Sequence, residues 1–403
     1  MHKLAWTLVA VTPLLAPVPA LAQDIKPLLD ARLRAEQVDQ DGFGRGAEAL
    51  TVRLRAGVQL DSGDWSALVE GEAVAPLSEQ YDSGLNGKTR FPIVADPENG
   101  ELNRLQLQYR GVPETLVTLG RQRINLDDQR FVGASGWRQN EQTFDAIRLE
   151  HGDSKGLRTD LVYSWSVRTI WGVDGTGARQ QAIGGNNVFA TISHPTVLGT
   201  LSGFAFLVDQ DEAQVQGFRL SSQTYGIRLA GNRSIANDVK LTYALSYARQ
   251  SDYRRNPNDY AADYWLGELG VEHGSAKLGL GHERLGAANG DPLTSFQTPL
   301  ATLHKFQGWA DKFLTTPPNG IRDYYASAGY GWKRVVGLES IAAALAYHRF
   351  NSDRIGLHYG DEWNALVSVR KGRWTATAKF AAYDADEFAT DTRKFWLQFE
   401  WAL

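Results

Sequence analysis

The 403-residue chain contains no cysteine, so disulfides and thiolate metal sites are both excluded. An exported chain of this kind crosses an oxidising compartment unfolded without stray pairing. Beyond the N-terminus there is no run of about 18 apolar residues, which excludes a transmembrane helix. His-Glu-x-x-His is missing, and none of the eight histidines forms a convincing metal pair. Gly279-Leu-Gly281 does not continue into GxGxxG, and Asp39-Gln-Asp41-Gly42 lacks the downstream glutamate of a calcium loop. No catalytic set, metal site, cofactor or nucleic-acid contact is expected, and the chain is not expected to be an enzyme.

What the sequence does contain begins with a secretory signal. Lys3 precedes an apolar stretch from Leu4 to Pro19, and Ala20-Leu21-Ala22 is a small-x-small cleavage site. Cleavage after Ala22 leaves residues 23–403 as a single domain.

Period-two alternation then recurs to the end of the chain. Leu50, Val52, Leu54, Ala56, Val58 and Leu60 oppose Thr51, Arg53, Arg55, Gly57 and Gln59. Asn103, Leu105, Leu107 and Tyr109 oppose Arg104, Gln106, Gln108 and Arg110. Leu161, Tyr163, Trp165 and Val167 oppose Asp160, Val162, Ser164, Ser166 and Arg168. The final strand places Phe395, Leu397, Phe399, Trp401 and Leu403 on one face. Strand side chains alternate between faces, and a tilted strand needs roughly 9–11 residues to cross a bilayer. Connections alternate between short Gly/Pro/Asn/Asp turns and long loops, the longest at 286–322. The expected fold is therefore all-β: a transmembrane antiparallel β-barrel of about 18 strands with a water-filled lumen. Sixteen strands remain open, because the pair within 187–208 is the weakest. An even count puts both termini on the short-turn rim. Trp65, Trp171, Trp265, Trp332, Trp363, Trp374 and Trp396 are expected in interfacial girdles. Such a barrel belongs in the bacterial outer membrane, with lipid and lipopolysaccharide as neighbours and the barrel-assembly machinery acting on the C-terminal strand.

The polar faces carry many guanidinium groups: Arg32, Arg34, Arg53, Arg55, Arg104, Arg110, Arg148, Arg158, Arg168 and Arg228, with Lys379. Glu36, Glu70, Glu72, Glu268 and Glu400 lie on the same faces. Two readings stay open. Either a ladder of arginines draws anionic solutes through the pore, or the arginines pair with the carboxylates and brace the wall. Arg32, Arg34, Arg53 and Arg55 outnumber the local carboxylates and are the expected unpaired charges.

Arg32-Leu-Arg-Ala-Glu36, Thr51-Val-Arg-Leu-Arg-Ala-Gly57, Gly120-Arg-Gln122, Asp127-Asp-Gln-Arg-Phe-Val-Gly133, Trp137-Arg-Gln-Asn140, Thr143-Phe-Asp-Ala146 and 298–311 resemble the alginate-export family of outer-membrane channels. The resemblance implies an 18-stranded monomeric barrel whose arginine-lined pore passes an anionic poly- or oligosaccharide. It adds Arg121, Arg123, Arg130 and Arg138 to the pore candidates. General passage of small solutes without polymer selectivity is the alternative, and a barrel enzyme the more remote one.

In the longest loop, Leu300, Leu303, Phe306, Trp309, Ala310 and Phe313 recur at spacings of three and four, which predicts a short amphipathic helix. It would fold into the channel as a constriction carrying His304, Lys305, Trp309 and Lys312, pack over the mouth as a lid, or bury its apolar side against the rim.

Overall fold

The computed structural model describes residues 24–211 and 217–403. The expected signal at 1–22 lies outside them. Among the described residues eighteen strands follow one another: β1 (Asp24–Gln40), β2 (Ala47–Ser62), β3 (Trp65–Pro76), β4 (Asn99–Tyr109), β5 (Thr115–Gln122) and β6 (Thr143–His151). Next come β7 (Arg158–Arg168), β8 (Ala182–Thr196), β9 (Gly199–Val208), β10 (Ser222–Ala236), β11 (Val239–Asp252) and β12 (Ala261–His273). The ring is completed by β13 (Ala276–Leu285), β14 (Ile321–Val335), β15 (Leu338–Asn351), β16 (His358–Lys371), β17 (Trp374–Ala385) and β18 (Thr392–Ala402).

Each strand pairs antiparallel with its neighbours in sequence, and β1 pairs with β18 from Asp30↔Ala402 to Gln40↔Thr392. Closure leaves no free edge. The barrel has eighteen strands because β8 runs fifteen residues and pairs with both β7 and β9. Two-residue turns such as Gly63-Asp64 and Gly372-Arg373 form one rim, where the glycines take φ of 56° and 57°.

Parity sets the two faces. In β3, Ser66, Leu68, Glu70, Glu72 and Val74 are buried inward while Trp65, Ala67, Val69, Gly71 and Ala73 face out. Tyr247/Trp265 and Tyr347/Trp363 pair near the loop rim, and Trp65/Tyr109 and Trp374/Trp401 near the turn rim. Two expected girdle residues are elsewhere: Trp396 is fully buried in the lumen, and Trp171 lies in the 169–181 connection beneath Arg179.

Bulges shift parity at two further places. Glu70 pairs with Arg104 and Gly71 with Leu102, so Asn103 is the extra residue. It turns inward to donate to Glu70 and Glu141 instead of sharing the Leu105 face. A similar skip at Trp165 brings Val167 inside.

The amphipathic helix expected at 300–313 does not form. That stretch holds only a three-residue 3-10 turn, Leu303–Lys305. Gln307, Gly308 and Asp311 have φ of 51°, 80° and 62°, which no α-helix accepts. Its apolar side chains are spent on the lumen wall instead: Phe313 stacks among Phe350, Tyr359, Tyr383 and Phe388.

Candidate functional site in the channel

Two long loops, 123–142 and 286–320, fold into the barrel and are joined to each other. The Gly133 N–H donates to the Leu300 carbonyl (2.9 Å), as does Gln142 Nε2 (3.0 Å), and the Thr302 N–H donates to the Gln129 carbonyl (3.1 Å). Phe131 anchors the first loop in an inward-facing aromatic patch of Phe204, Phe206, Tyr264 and Phe296, at centroid distances of 5.1–5.9 Å. Here the lumen wall is apolar. Burying these rings between loop and wall is what holds the loop down.

The expected unpaired arginines sit behind this loop and are occupied. Arg32 donates to Glu400 (2.7 Å) and to the carbonyls of Trp137 and Arg138 (3.1 Å each). Arg34 binds Asp96 (3.1 Å), Gln398 and the Trp137 carbonyl. Arg53 pairs with Asp30, and Arg55 with Glu72 and with Glu141 (3.2 Å). The expectation of four free charges is therefore corrected. Two of the partner carboxylates, Asp96 and Glu141, come from the 77–98 and 123–142 loops, and a desolvated guanidinium is costly without them. Of these four, Arg53 alone keeps unpartnered donors: its Nε and Nη1 are buried with no partner among the described residues, as are single donors of Arg130, Arg168 and Arg228 elsewhere.

The other candidates divide in the same way. Arg104 forms a bidentate pair with Glu70 (2.8 and 2.6 Å), and Arg123 reaches Glu141 and Glu70. Arg130 is buried on Glu283 (2.6 Å) and over the Phe306 ring; Arg138 holds Asp311 (2.9 Å). Arg148 clasps Asp160 (2.9 and 2.5 Å) beside Asp127, Glu150 and Arg158 in a turn-side cavity of the lumen. Arg168 lies 3.5 Å from Glu101. Two candidates leave the lumen. Arg110 is exposed on the turn rim, where it donates to Gln108. Arg121 shares the outward face of Leu119 and grips Asp145 (2.8 and 3.0 Å), because odd positions of β5 point to lipid.

The second loop is fixed by a buried charge cluster. Lys379 of β17 lies within cation–π range of Trp309 (3.8 Å), Trp137 (4.1 Å) and Trp396 (5.4 Å). Its Nζ lies 2.6 Å from Nε2 of His304, whose ring stacks on Trp137 at 8°. His304 Nδ1 lies 2.7 Å from Asp311, which also takes Lys394 (3.0 Å). Burial, reinforced by the neighbouring ammonium, holds His304 well below the usual imidazole range. Burial opposes ionisation of Asp311, but His304, Lys394 and Arg138 outweigh it and keep the carboxyl well below its ordinary value. The Trp309 and Ala310 N–H groups both donate to Glu362. Lys305 is exposed and donates to the Asp128 carbonyl (2.6 Å). Lys312 is half-buried above the Tyr383 ring, and burial together with Lys394 lowers it to about 8.

Sequence reasoning missed Asp96, Glu141, Asp311, Glu283 and Glu362 as partners and Lys394 as a lumenal cation. Parity along the last strand places Lys394 with Trp396 and Gln398, so that signal was available. The loop carboxylates have no periodicity to reveal them.

The sequence profile of the alginate-export family matches residues 29–301. The chain belongs to the alginate-export family. No curated protein matches it in sequence. Among solved structures this alginate-export channel is similar to Pseudomonas aeruginosa OccK9 (OpdG), at TM-score 0.71 and 14% identity, covering 95% of this chain and 100% of that one. Acinetobacter baumannii OccAB4 gives TM-score 0.70 and 13% identity over 96% and 100%. Pseudomonas aeruginosa OccK2 (OpdF), solved in complex with glucuronate, gives 0.65 and 14% over 95% and 99%. At these identities the likeness is one of fold. The alginate-export channel is an outer-membrane barrel, and barrels of this kind put their short turns toward the periplasm.

Proposed function

We propose that this outer-membrane channel passes small acidic solutes, of the size of a uronate or a short uronate oligomer, passively and without catalysis. The observation that carries the reading is Arg53, a guanidinium with two unpartnered donors set between Arg32 and Arg55 on the inner wall. A guanidinium attracts carboxylate anions, and Arg53, itself buried, acts on a passing solute through its field and not by contact. Family membership supports an acidic sugar, and glucuronate held by OccK2 is a solute of matching chemistry. Two loops pinned across the lumen favour a monomer or short oligomer over a long polymer. The segment before Gln23 is read as a removed signal, which the mass of the mature protein checks.

The test is reversal potential across a salt gradient in planar bilayers, with glucuronate as a competing solute. Wild type is expected to prefer anions and to be blocked by glucuronate, and Arg53→Gln to weaken both. Equal cation and anion permeability in wild type would leave a general small-solute pore.

A further inference from the structure

On the outward face near the loop rim, β13 and β14 place two arginines directly opposite each other, Arg284↔Arg322. Lipid-facing positions hold few charges because an unpaired charge there is costly. These two share a single carboxylate: Asp353 Oδ1 accepts from Arg284 Nε (2.6 Å) and from Arg322 Nε (2.8 Å). Their side chains remain 31% and 41% exposed. Arg349 of β15, one strand on, is also exposed and outward. The flanking carboxylates are shared: Asp263 binds Arg249 and the Tyr247 hydroxyl, and Asp361, directly opposite Arg349, binds the Tyr347 hydroxyl and His358. The rim from β11 to β16 carries Arg249, Arg284, Arg322 and Arg349 against Asp263, Asp353 and Asp361, a crown of guanidinium groups with one positive charge in surplus.

Beneath the crown, on the same outward face, the barrel wall is recessed. Ala326 and Ala328 form the floor of a groove walled by Leu278, Leu280 and Leu269 on one side and Leu345 on the other. Tyr324 and Tyr347 stand between the crown and the groove, at the level where amphipathic rings meet the headgroups. A cationic rim directly over an apolar trough matches a molecule with phosphate above and a hydrocarbon chain below.

We propose that the outer face of β13–β15 is a binding site for a phosphorylated outer-leaflet glycolipid, with phosphate on Arg284, Arg322 and Arg349 and one acyl chain along Ala326 and Ala328. Charge complementarity selects the occupant. Arginine pairs bidentately with phosphate oxygens, and basic clusters beside a membrane recognise anionic headgroups. The site faces away from the pore and is independent of what the channel carries.

The test uses the full chain, purified in detergent and incubated with bisphosphorylated lipid A, phosphatidylglycerol or inorganic phosphate, with bound lipid read by native mass spectrometry. Two variants are compared, Arg284→Gln/Arg322→Gln/Arg349→Gln and the groove filler Ala326→Leu/Ala328→Leu, with folding confirmed by heat-modifiable migration. Lipid A is expected to be retained about tenfold better than phosphatidylglycerol, and each variant to cut that retention about tenfold. Inorganic phosphate is expected not to displace it. Equal retention of the two lipids, retention undiminished in the groove filler, or displacement by inorganic phosphate would each overturn the site. Retention undiminished in the arginine variant, when folded, would do the same.

Discussion

Lys379 on the barrel wall and His304 in the inward loop meet at 2.6 Å between Nζ and Nε2, with Asp311 on the opposite ring nitrogen. With His304 held below its ordinary range and its Nδ1–H on the Asp311 carboxylate, the imidazole is neutral and accepts at Nε2. A second proton would turn Nε2 from acceptor to donor and set it against the Lys379 ammonium, with Arg138 nearby. Lys394 and Arg138 already share Asp311, so the carboxylate offsets only part of that repulsion.

The consequence is a pH dependence of the docked loop. Because burial and Lys379 hold His304 below its ordinary range, the docked state binds fewer protons than the released one. Docking is therefore at full strength above about pH 6.5 and weakens as pH falls below it. Asp311, held low, loses its contribution only at still lower pH. Limited proteolysis within 286–320 should accelerate between about pH 7.5 and 5, and His304→Gln should flatten that response. Identical cleavage at both pH values in wild type would sink the idea.

Gly308 permits the loop to approach the wall. At φ 80° it sits where an added Cβ would lie 2.3 Å from Glu362 Oε2. Gly308→Val should pull the Trp309 and Ala310 N–H groups off Glu362 and widen the passage, as should deletion of 298–314. Single-channel conductance in planar bilayers is expected to rise by a factor of about two or more. Unchanged conductance in the deletion would mean that the loop does not constrict the pore.

Asp96 fastens the first loop to the wall, accepting from Arg34 and from the Gln139 N–H (2.8 Å) while fully buried. Asp96→Ala leaves Arg34 without its counter-charge, and breaking such a buried pair costs about 3–5 kcal/mol. The midpoint of heat-modifiable unfolding should drop clearly, and trypsin should reach residues 123–142. A midpoint equal to wild type would show that the aromatic patch alone retains the loop.

The barrel itself was legible from the residues in order. Alternation along β3 and β18 names the lipid and lumen faces, and Gly-containing turns mark the reversals, because a strand's period and a turn's backbone needs are local properties. Parity also placed Arg32, Arg34, Arg53 and Arg55 on the inner wall. It failed at Asn103 and Val167, where one extra residue shifts the pleat, a change that depends on the partner strand.

What the inner wall faces was decided only by tertiary structure. Whether Arg34 is a free pore charge or a clamp depends on Asp96, more than sixty positions away in a loop with no repeat to betray its path. The same holds for Lys379, whose three indoles and imidazole come from two loops and a neighbouring strand. Periodic patterning specifies the cylinder because each residue reports its own face. Long-range charge pairing and ring burial specify its contents, since those energies exist only once distant segments have met.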